Sequence, residues 1–176
     1  MINRASIYTL RNKKELIGAE IGVSSGDNAF NMLNELDIRK LYLIDPYKEY
    51  LHFTQKILNK HKETAHKILS EFEDKIVWLE KESILAAKDI KDNELDFVYI
   101  DGDHEYPSVI NDIEHYYQKV KIGGLFAGDN FELNDVRLAV LEFYTFNSPL
   151  LIKENKLKLY YGRNKDTNSI DWWLYE

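Results

Sequence analysis

Short apolar runs alternate along the chain with longer stretches in which apolar residues recur every three or four positions. The short runs are typical of buried strands, and the spaced pattern is typical of helices with one apolar face. The runs predict strands at residues 16–23, 40–44, 76–79, 95–100 and 125–127. The spaced stretches predict helices at residues 27–36, 47–72, 84–90, 107–120 and 134–146. Gly123 and Gly124 are expected to end the fourth of these helices.

The alternation of strand and helix changes near the end of the chain. Residues 157–161 and 170–175 are two strand-like runs separated by a polar turn, with no helical pattern between them. Alternating strands and helices predict a parallel sheet covered on both faces, and the final pair predicts an antiparallel hairpin at its edge. The expected fold class is therefore α/β, a mostly parallel seven-stranded sheet flanked by helices, in a single domain over residues 1–176.

Composition narrows the functional classes. The net charge of −7 argues against a general nucleic-acid binder, because affinity for phosphates comes from clustered Lys and Arg. The basic run at residues 56–67 is interpreted as the solvated face of a helix. The chain has no Cys, which excludes disulfides and thiolate metal sites. With neither a signal-peptide pattern nor an apolar run of membrane length, the default expectation is a cytoplasmic protein without a membrane partner. The sequence leaves the oligomeric state open, a homo-oligomer included.

Polar or Gly residues follow each of the five predicted strands of the parallel part. Because the carboxyl ends of parallel strands meet at one edge of a sheet, these residues are expected to share one crevice, where open α/β sheets bind ligands. They are Gly22 and Gly26, Asp45 and Pro46, Glu82 and Ser83, Asp101 to His104, and Asp129 and Asn130.

The residues after the first three strands suit a nucleoside. Residues 22–26 (GVSSG) form a turn in which backbone can approach a ligand, although the G-x-x-x-G spacing differs from the dinucleotide-binding pattern. Asp45 either accepts hydrogen bonds from a ribose diol or caps a turn. Pro46 offers a flat apolar surface to a base. Glu82 and Ser83 either reach the exocyclic amine of that base or belong to an ordinary turn.

The stretch YIDGDHEY at residues 99–106 crowds three carboxylates and an imidazole just past a buried strand. A solvated turn is one interpretation, and a site that holds a cation and a base is the other. Asp103 either supports such a site or caps the following helix. His104 either acts as a general base, since the unperturbed pKa of imidazole is near neutrality, or makes hydrogen bonds within the turn.

Four segments resemble the class I S-adenosylmethionine-dependent methyltransferases. They are AEIGVSSG at 19–26, LIDPY at 43–47, DFVYIDGDHEY at 96–106 and GGLFAGDN at 123–130. The branch they resemble most is that of small O-methyltransferases related to the macrocin and mycinose sugar O-methyltransferases, and more distantly the catechol O-methyltransferases. The resemblance covers roughly residues 16–176 and implies a Rossmann-like methyltransferase fold. Ser24 and Ser25 stand where many members have another Gly, which is a departure from the pattern.

The resemblance implies a role for each of these positions. Glu20 and the turn through Gly22 and Gly26 would line the methionine end of S-adenosylmethionine, Asp45 would hold the ribose, and Glu82 or Ser83 would touch the adenine. The implied cofactor-binding residues are Glu20, Gly22, Gly26, Asp45, Pro46, Glu82, Ser83 and Asp101.

In the metal-dependent branch, acids after the fourth and fifth strands hold a divalent cation. Asp101, Asp129 and Asn130 match those positions, and His104 has the three-residue spacing from Asp101 that sugar-methylating relatives show. Oxygen ligands favour Mg²⁺ or a similar ion, which would bind the acceptor and acidify its hydroxyl. Asp101 and His104 are then the candidate catalytic residues, with His104 as general base.

Three hypotheses follow from the residues and the resemblance. The first is a metal-assisted O-methyltransferase that acts on a small hydroxylated molecule such as a sugar. The second is a metal-independent methyltransferase of the same fold, in which the acids only bind cofactor and acceptor. The third is a module of the same fold that binds a nucleoside without chemistry.

Overall fold

The computed structural model describes residues 4–50, 53–151, 158–165 and 167–175. Its seven strands form one sheet in the order β3-β2-β1-β4-β5-β7-β6. The strands are β1 Leu16–Ile21, β2 Ile38–Ile44, β3 Ile76–Leu79, β4 Leu95–Ile100, β5 Val120–Gly128, β6 Lys158–Arg163 and β7 Ile170–Tyr175. Strands β1 to β5 pair in parallel, whereas β7 is antiparallel to both β5 and β6. The predicted fold class and its terminal hairpin are confirmed, and Leu157, the predicted first residue of the hairpin, lies outside the described residues.

Five α-helices flank the sheet within the described ranges. They are α1 Asp27–Glu35, α2 Gln55–Ile68, α3 Ser83–Ala86, α4 Tyr106–Tyr117 and α5 Asn134–Leu151. Short 3₁₀ turns occupy Ile7–Leu10, Ser70–Lys75 and Ala87–Asp89. None of the helices in the described part of the chain is long and apolar enough to cross a bilayer.

The sheet carries an apolar layer on each face, because successive side chains of a strand point to opposite sides. In β4, Val98 and Ile100 join the layer beneath α3, α4 and α5, while Phe97 and Tyr99 join the layer beneath α1 and α2. All six residues of β1 are buried, as expected for a central parallel strand covered on both faces. The near-continuous apolar runs in the sequence reflect this double coverage.

The prediction of a helix from residue 47 is wrong, because α2 begins only at Gln55. Tyr47 has a left-handed backbone conformation with φ of 45°, which a helix cannot include. The side chain of Glu49 accepts a hydrogen bond from the backbone N–H of Gln55 at 2.7 Å. The Glu49 carboxylate thereby satisfies one of the free N–H groups in the first turn of α2. The described residues between Tyr47 and α2 are a loop rather than a helix.

The prediction that Gly123 and Gly124 end a helix is also wrong. Helix α4 ends at Tyr117, and both glycines lie inside β5. Strand β5 pairs Val120 with Leu95 and then Leu125 with Phe97, so residues 121–124 bulge out of the register. The positive φ of 76° at Gly123 supplies the bend that this bulge needs.

Candidate active site

A crevice opens at the carboxyl ends of β1, β2 and β4. The order of the sheet reverses between β1 and β4, and the crevices of open α/β sheets form at such switch points. Here two clefts adjoin, and both are lined by Gly22, Tyr50, Phe53 and residues 101–103. The first cleft, of about 330 Å³, extends toward Asp45, Pro46, Glu82 and Ser83. The second cleft, of about 640 Å³, extends toward Arg4, Glu20, Asn28, His104 and Glu105.

The turn after β1 brings backbone directly against the end of β4. Gly22 has φ of 85°, and a Cβ at this position would lie 2.1 Å from the carbonyl oxygen of Asp101. Its backbone N–H donates to the carbonyl of Ile44 at 2.9 Å, which ties the turn to β2 as well. A residue with a Cβ would clash with Asp101 at this position. The close approach of the two backbones therefore requires a glycine here, beside both clefts.

Asp45 is held rigidly at the end of β2. Its two carboxylate oxygens accept hydrogen bonds from the backbone N–H groups of Ser24 at 2.9 Å and Tyr47 at 2.8 Å. Burial raises the pKa of Asp45 above its ordinary value. Each oxygen retains a lone pair, so the carboxylate can accept hydrogen bonds from a diol in the first cleft. Pro46 is exposed beside it and lines the same cleft.

The far end of the first cleft contains a carboxylate that the sequence reasoning missed. The hydroxyl of Ser83 donates to the buried Asp112 of α4, and both line the cleft. Burial raises the pKa of Asp112 to about 6. An acid on the buried face of α4, three residues after Val109, was the available signal. Glu82 is exposed, lines the cleft and pairs with Lys48 at 3.3 Å.

Glu20 is the most deeply buried acid in the crevice. Its Oε1 accepts a hydrogen bond from the amide of Asn28 at 2.9 Å, while its Oε2 has no partner among the described residues. Burial raises the pKa of Glu20 to about 8. An unpaired buried carboxylate is destabilising unless a positive group approaches it. Glu20 lines the second cleft and therefore suits the cationic methionine end of S-adenosylmethionine.

The residues of the first cleft also fit that cofactor. Its volume is within the usual range of small-molecule sites. In the first cleft, Gly22 leaves room for a ligand beside the backbone and Asp45 presents a carboxylate for hydroxyls, while in the adjoining second cleft Glu20 presents an unpaired oxygen for a cation. These three features carry the fit independently of the resemblance in sequence.

His104 and Asp101 form a pair at the entrance to the second cleft. The Nε2 atom of His104 lies 3.5 Å from Oδ1 of Asp101, which is an ion-pair distance rather than a well-formed hydrogen bond. The side chain of His104 is 41% exposed although its Nε2 is buried. The contact with Asp101 raises the pKa of His104, and burial raises that of Asp101. The sequence prediction that these residues act together is therefore compatible with their placement.

Asp103, next to His104, makes hydrogen bonds at the start of the following helix. Its carboxylate accepts hydrogen bonds from the backbone N–H of Glu105 at 3.2 Å and from the hydroxyl of Ser108 at 2.7 Å. Asp103 also lines both clefts, so a role at the start of the helix and a supporting role in the site both stay predictions.

Arg4 lies between the two acids that were predicted to hold a metal ion. Its Nη2 donates to Asp101 at 3.2 Å, and its Nη1 donates to Asp129. Asp129 also accepts hydrogen bonds from Asn164 at 3.1 Å and Ser169 at 2.9 Å. Burial lowers the pKa of Arg4, whereas the nearby Tyr99 and the neighbouring acids raise it. The net result is a pKa above the ordinary value.

The third predicted metal ligand points elsewhere. The side-chain amide of Asn130 donates toward Glu132 at 3.5 Å, a long contact. Within the described ranges, no group of three His, Cys, Asp or Glu residues has the geometry to hold a metal ion. The arrangement around Arg4 therefore does not fit a divalent cation at Asp101, Asp129 and Asn130.

Comparison with known proteins connects this crevice to a family. Residues 19–131 match the family described as "Methyltransferase domain". The chain is 31% identical over 125 residues to the uncharacterized protein R132 of Acanthamoeba polyphaga mimivirus. That match covers 68% of this chain but 53% of the viral protein, so the chain spans about half the length of the curated relative it matches.

Two solved structures show the same fold at low sequence identity. One is an O-methyltransferase from Bacillus cereus in complex with SAH, at a TM-score of 0.66 and 15% identity, covering 97% of this chain and 79% of that chain. The other is a precorrin-6y C5,15-methyltransferase from Geobacter metallireducens, at a TM-score of 0.64 and 14% identity, covering 97% and 85%.

Proposed function

Because this chain belongs to the methyltransferase-domain family, we propose that it is an S-adenosylmethionine-dependent O-methyltransferase that acts on a hydroxyl of a small molecule. The observation that carries the proposal is the His104–Asp101 pair, which stands at the second cleft beside the unpaired carboxylate of Glu20. A base in that place meets an acceptor hydroxyl next to the site of the transferable methyl group.

The first cleft is assigned to the adenosine part of the cofactor. Asp45 accepts hydrogen bonds from the ribose hydroxyls, Pro46 borders the adenine, and Ser83 with Asp112 lies at the end that meets the exocyclic amine. When bound, S-adenosylmethionine supplies an activated methyl group on a sulfonium sulfur. Glu20, which lines the second cleft, would hold the cationic methionine end and orient the cofactor there.

In the second cleft, His104 accepts the proton of the acceptor hydroxyl. Asp101 faces Nε2 of His104 and favours the tautomer that is protonated there, which leaves Nδ1 as the atom that takes the proton. The bound cofactor would supply the methyl group that replaces this proton on the acceptor oxygen, with S-adenosylhomocysteine as the leaving group. His104 then passes the proton to solvent.

The acceptor is proposed to be a small polar molecule such as a sugar, in keeping with the macrocin and mycinose resemblance. Tyr50 and Phe53, which border both clefts, stack at 5.2 Å between ring centroids and form an aromatic wall. An apolar wall with a few converging polar groups is typical of small-molecule sites. The net charge of −7 supports a small-molecule partner rather than nucleic acid.

Metal assistance is the second form of this function. The convergence of Asp101 and Asp129 on one cationic group favours a positive charge at this position, and a divalent ion would fill it only after Arg4 moved away. This alternative stays a prediction that turnover in the presence of a chelator tests directly.

The experiment measures S-adenosylhomocysteine formation with a panel of sugars and catechols, with and without EDTA. Turnover with at least one acceptor, together with binding of S-adenosylmethionine in calorimetry, supports the proposal. Turnover that EDTA abolishes and Mg²⁺ restores selects the metal-assisted form. Cofactor binding without turnover on any acceptor favours the nucleoside-binding module, and absence of cofactor binding contradicts both methyltransferase forms.

A further inference from the structure

We propose that the guanidinium of Arg4 is the resident cation of the acceptor site, holding Asp101 and Asp129 together and excluding a divalent ion from between them. This inference deepens the proposed function, since it concerns the charge beside the same catalytic pair. It rests on the contacts of Arg4 with Asp101 and Asp129.

The ion pairs of Arg4 are shielded from water. The side chains of Arg4, Asp101 and Asp129 are 15%, 21% and 5% exposed. Exposed ion pairs contribute little, but removal of one partner from a shielded pair leaves an uncompensated charge and is strongly destabilising. The planar guanidinium has donors in a fixed fork, which lets one side chain serve two carboxylates at once. Arg4 is thus an integral part of this site.

The backbone on the C-terminal side of Arg4 is fixed to the terminal hairpin. The N–H of Ala5 donates to Asn164 and the N–H of Ser6 donates to Asp171, both at 2.9 Å. The guanidinium carbon lies 5.6 Å from the ring centroid of Tyr99. Because the segment is fixed on several sides, the charge of Arg4 is held at the strand ends without help from a ligand.

Arg4 already supplies positive charge between the two acids. Asp101 and Asp129 supply two negative charges, and the guanidinium of Arg4 contacts both of them. A divalent cation added to this set would leave an excess of positive charge in a partly buried site. Asp129 Oδ2 accepts hydrogen bonds from both Arg4 and Ser169, so a metal ion at this oxygen would have to take the place of Arg4.

Loss of Arg4 should reverse this situation. Two shielded carboxylates without a cation repel each other, and carboxylate oxygens are the ligands that Mg²⁺ and Mn²⁺ prefer. Arg4→Gln should therefore create a divalent-cation site that the wild-type protein lacks. Arg4 is in this sense a positioning residue, which holds Asp101 where it meets His104.

The test measures Mn²⁺ binding by electron paramagnetic resonance on protein first treated with EDTA. Wild-type protein should bind no stoichiometric Mn²⁺. Arg4→Gln should bind one ion per chain, at least about tenfold more tightly than any weak, non-stoichiometric binding by the wild type. Asp129→Asn in the Arg4→Gln background should remove that site. Arg4→Met, which keeps an aliphatic stem against Tyr99, is the second variant should Arg4→Gln fail to fold.

A matched control is Arg11→Gln. Arg11 also pairs with one carboxylate at 3.2 Å and lies over a tyrosine ring, but it stands at an exposed surface position away from the crevice. This variant should show the wild-type Mn²⁺ result.

Two outcomes overturn the inference. One is stoichiometric Mn²⁺ on wild-type protein that Asp129→Asn removes, and the other is a folded Arg4 variant that binds no more Mn²⁺ than wild type. Calorimetry with S-adenosylmethionine on the same wild-type sample separates these results from failure of the proposed function. Failure of the proposed function appears there as loss of cofactor binding, whatever the Mn²⁺ signal.

Discussion

The buried Glu20 should make cofactor binding depend on pH. Its pKa is raised to about 8 by burial, and its Oε2 has no partner among the described residues. A cationic cofactor group beside this carboxylate favours its charged form, so binding releases the proton. Since each unit of pKa corresponds to a tenfold change in the equilibrium, the affinity should fall about tenfold per pH unit below 8, and be about a hundredfold weaker at pH 6 than on the plateau.

Glu20→Gln keeps the shape of the side chain and the acceptor for Asn28 but removes the charge. At pH 8, the variant should bind S-adenosylmethionine with a higher Kd than wild type. That Kd should be nearly constant between pH 6 and 8. Isothermal calorimetry across this range, in buffers of different ionisation enthalpy, measures both the affinity and the number of protons released.

The unliganded proteins provide a second measurement of the same group. Folded protein keeps the Glu20 proton up to about pH 8, whereas the unfolded chain releases it near the ordinary value of 4.5. The folded state binds more protons between these values, so this group makes the free energy of unfolding fall as pH rises, by about 1.4 kcal/mol per unit at most. Glu20→Gln should remove that component from urea-unfolding curves.

The control is Glu94→Gln, at a carboxylate just before β4 that pairs with Lys40 at 3.1 Å. It should leave the pH dependence of cofactor affinity as in wild type. A wild-type affinity that does not change with pH would refute the argument. So would a slope that persists in Glu20→Gln, because another titrating group would then carry it.

Three further predictions concern the cofactor and the base. Asp45→Ala should raise the Kd for S-adenosylmethionine at least about tenfold in calorimetry, by loss of the hydrogen bonds to the ribose, and retention of wild-type affinity would contradict the assignment. His104→Ala should lower kcat at least about a hundredfold with cofactor affinity nearly unchanged, since this is the lower end of general-base effects. In wild type, kcat should rise with pH, because only the neutral ring of His104 accepts a proton. The midpoint of that rise should lie above the ordinary pKa of His, because Asp101 raises the pKa of His104. A pH profile that is flat in both wild type and His104→Ala would show that His104 is not the base.

Local patterns in the sequence determined the order and type of most elements. The apolar runs at β3 and β4 were predicted with the same bounds that the structure shows. The run is clearest in β4, because a central strand buried on both faces needs nearly continuous apolar residues. The polar residues at the strand ends were identifiable for a related reason, since a parallel sheet brings all carboxyl ends to one edge. The start of α2 was not identifiable from the sequence, because the Glu49 side chain that caps α2 lies in the loop before the helix.

The contacts that complete the site were decided by the tertiary structure. The resemblance in sequence predicted that Asp101 and Asp129 are metal ligands. The charges of the two acids do not determine which cation lies between them. That cation is Arg4, which lies 97 and 125 residues away along the chain. It reaches them only because Ala5 and Ser6 dock on the terminal hairpin, where Asn164 and Asp171 accept their N–H groups. Sequence patterns report which side chains are buried together on one element, whereas the pairing of charges across distant elements depends on distances that only the folded chain sets.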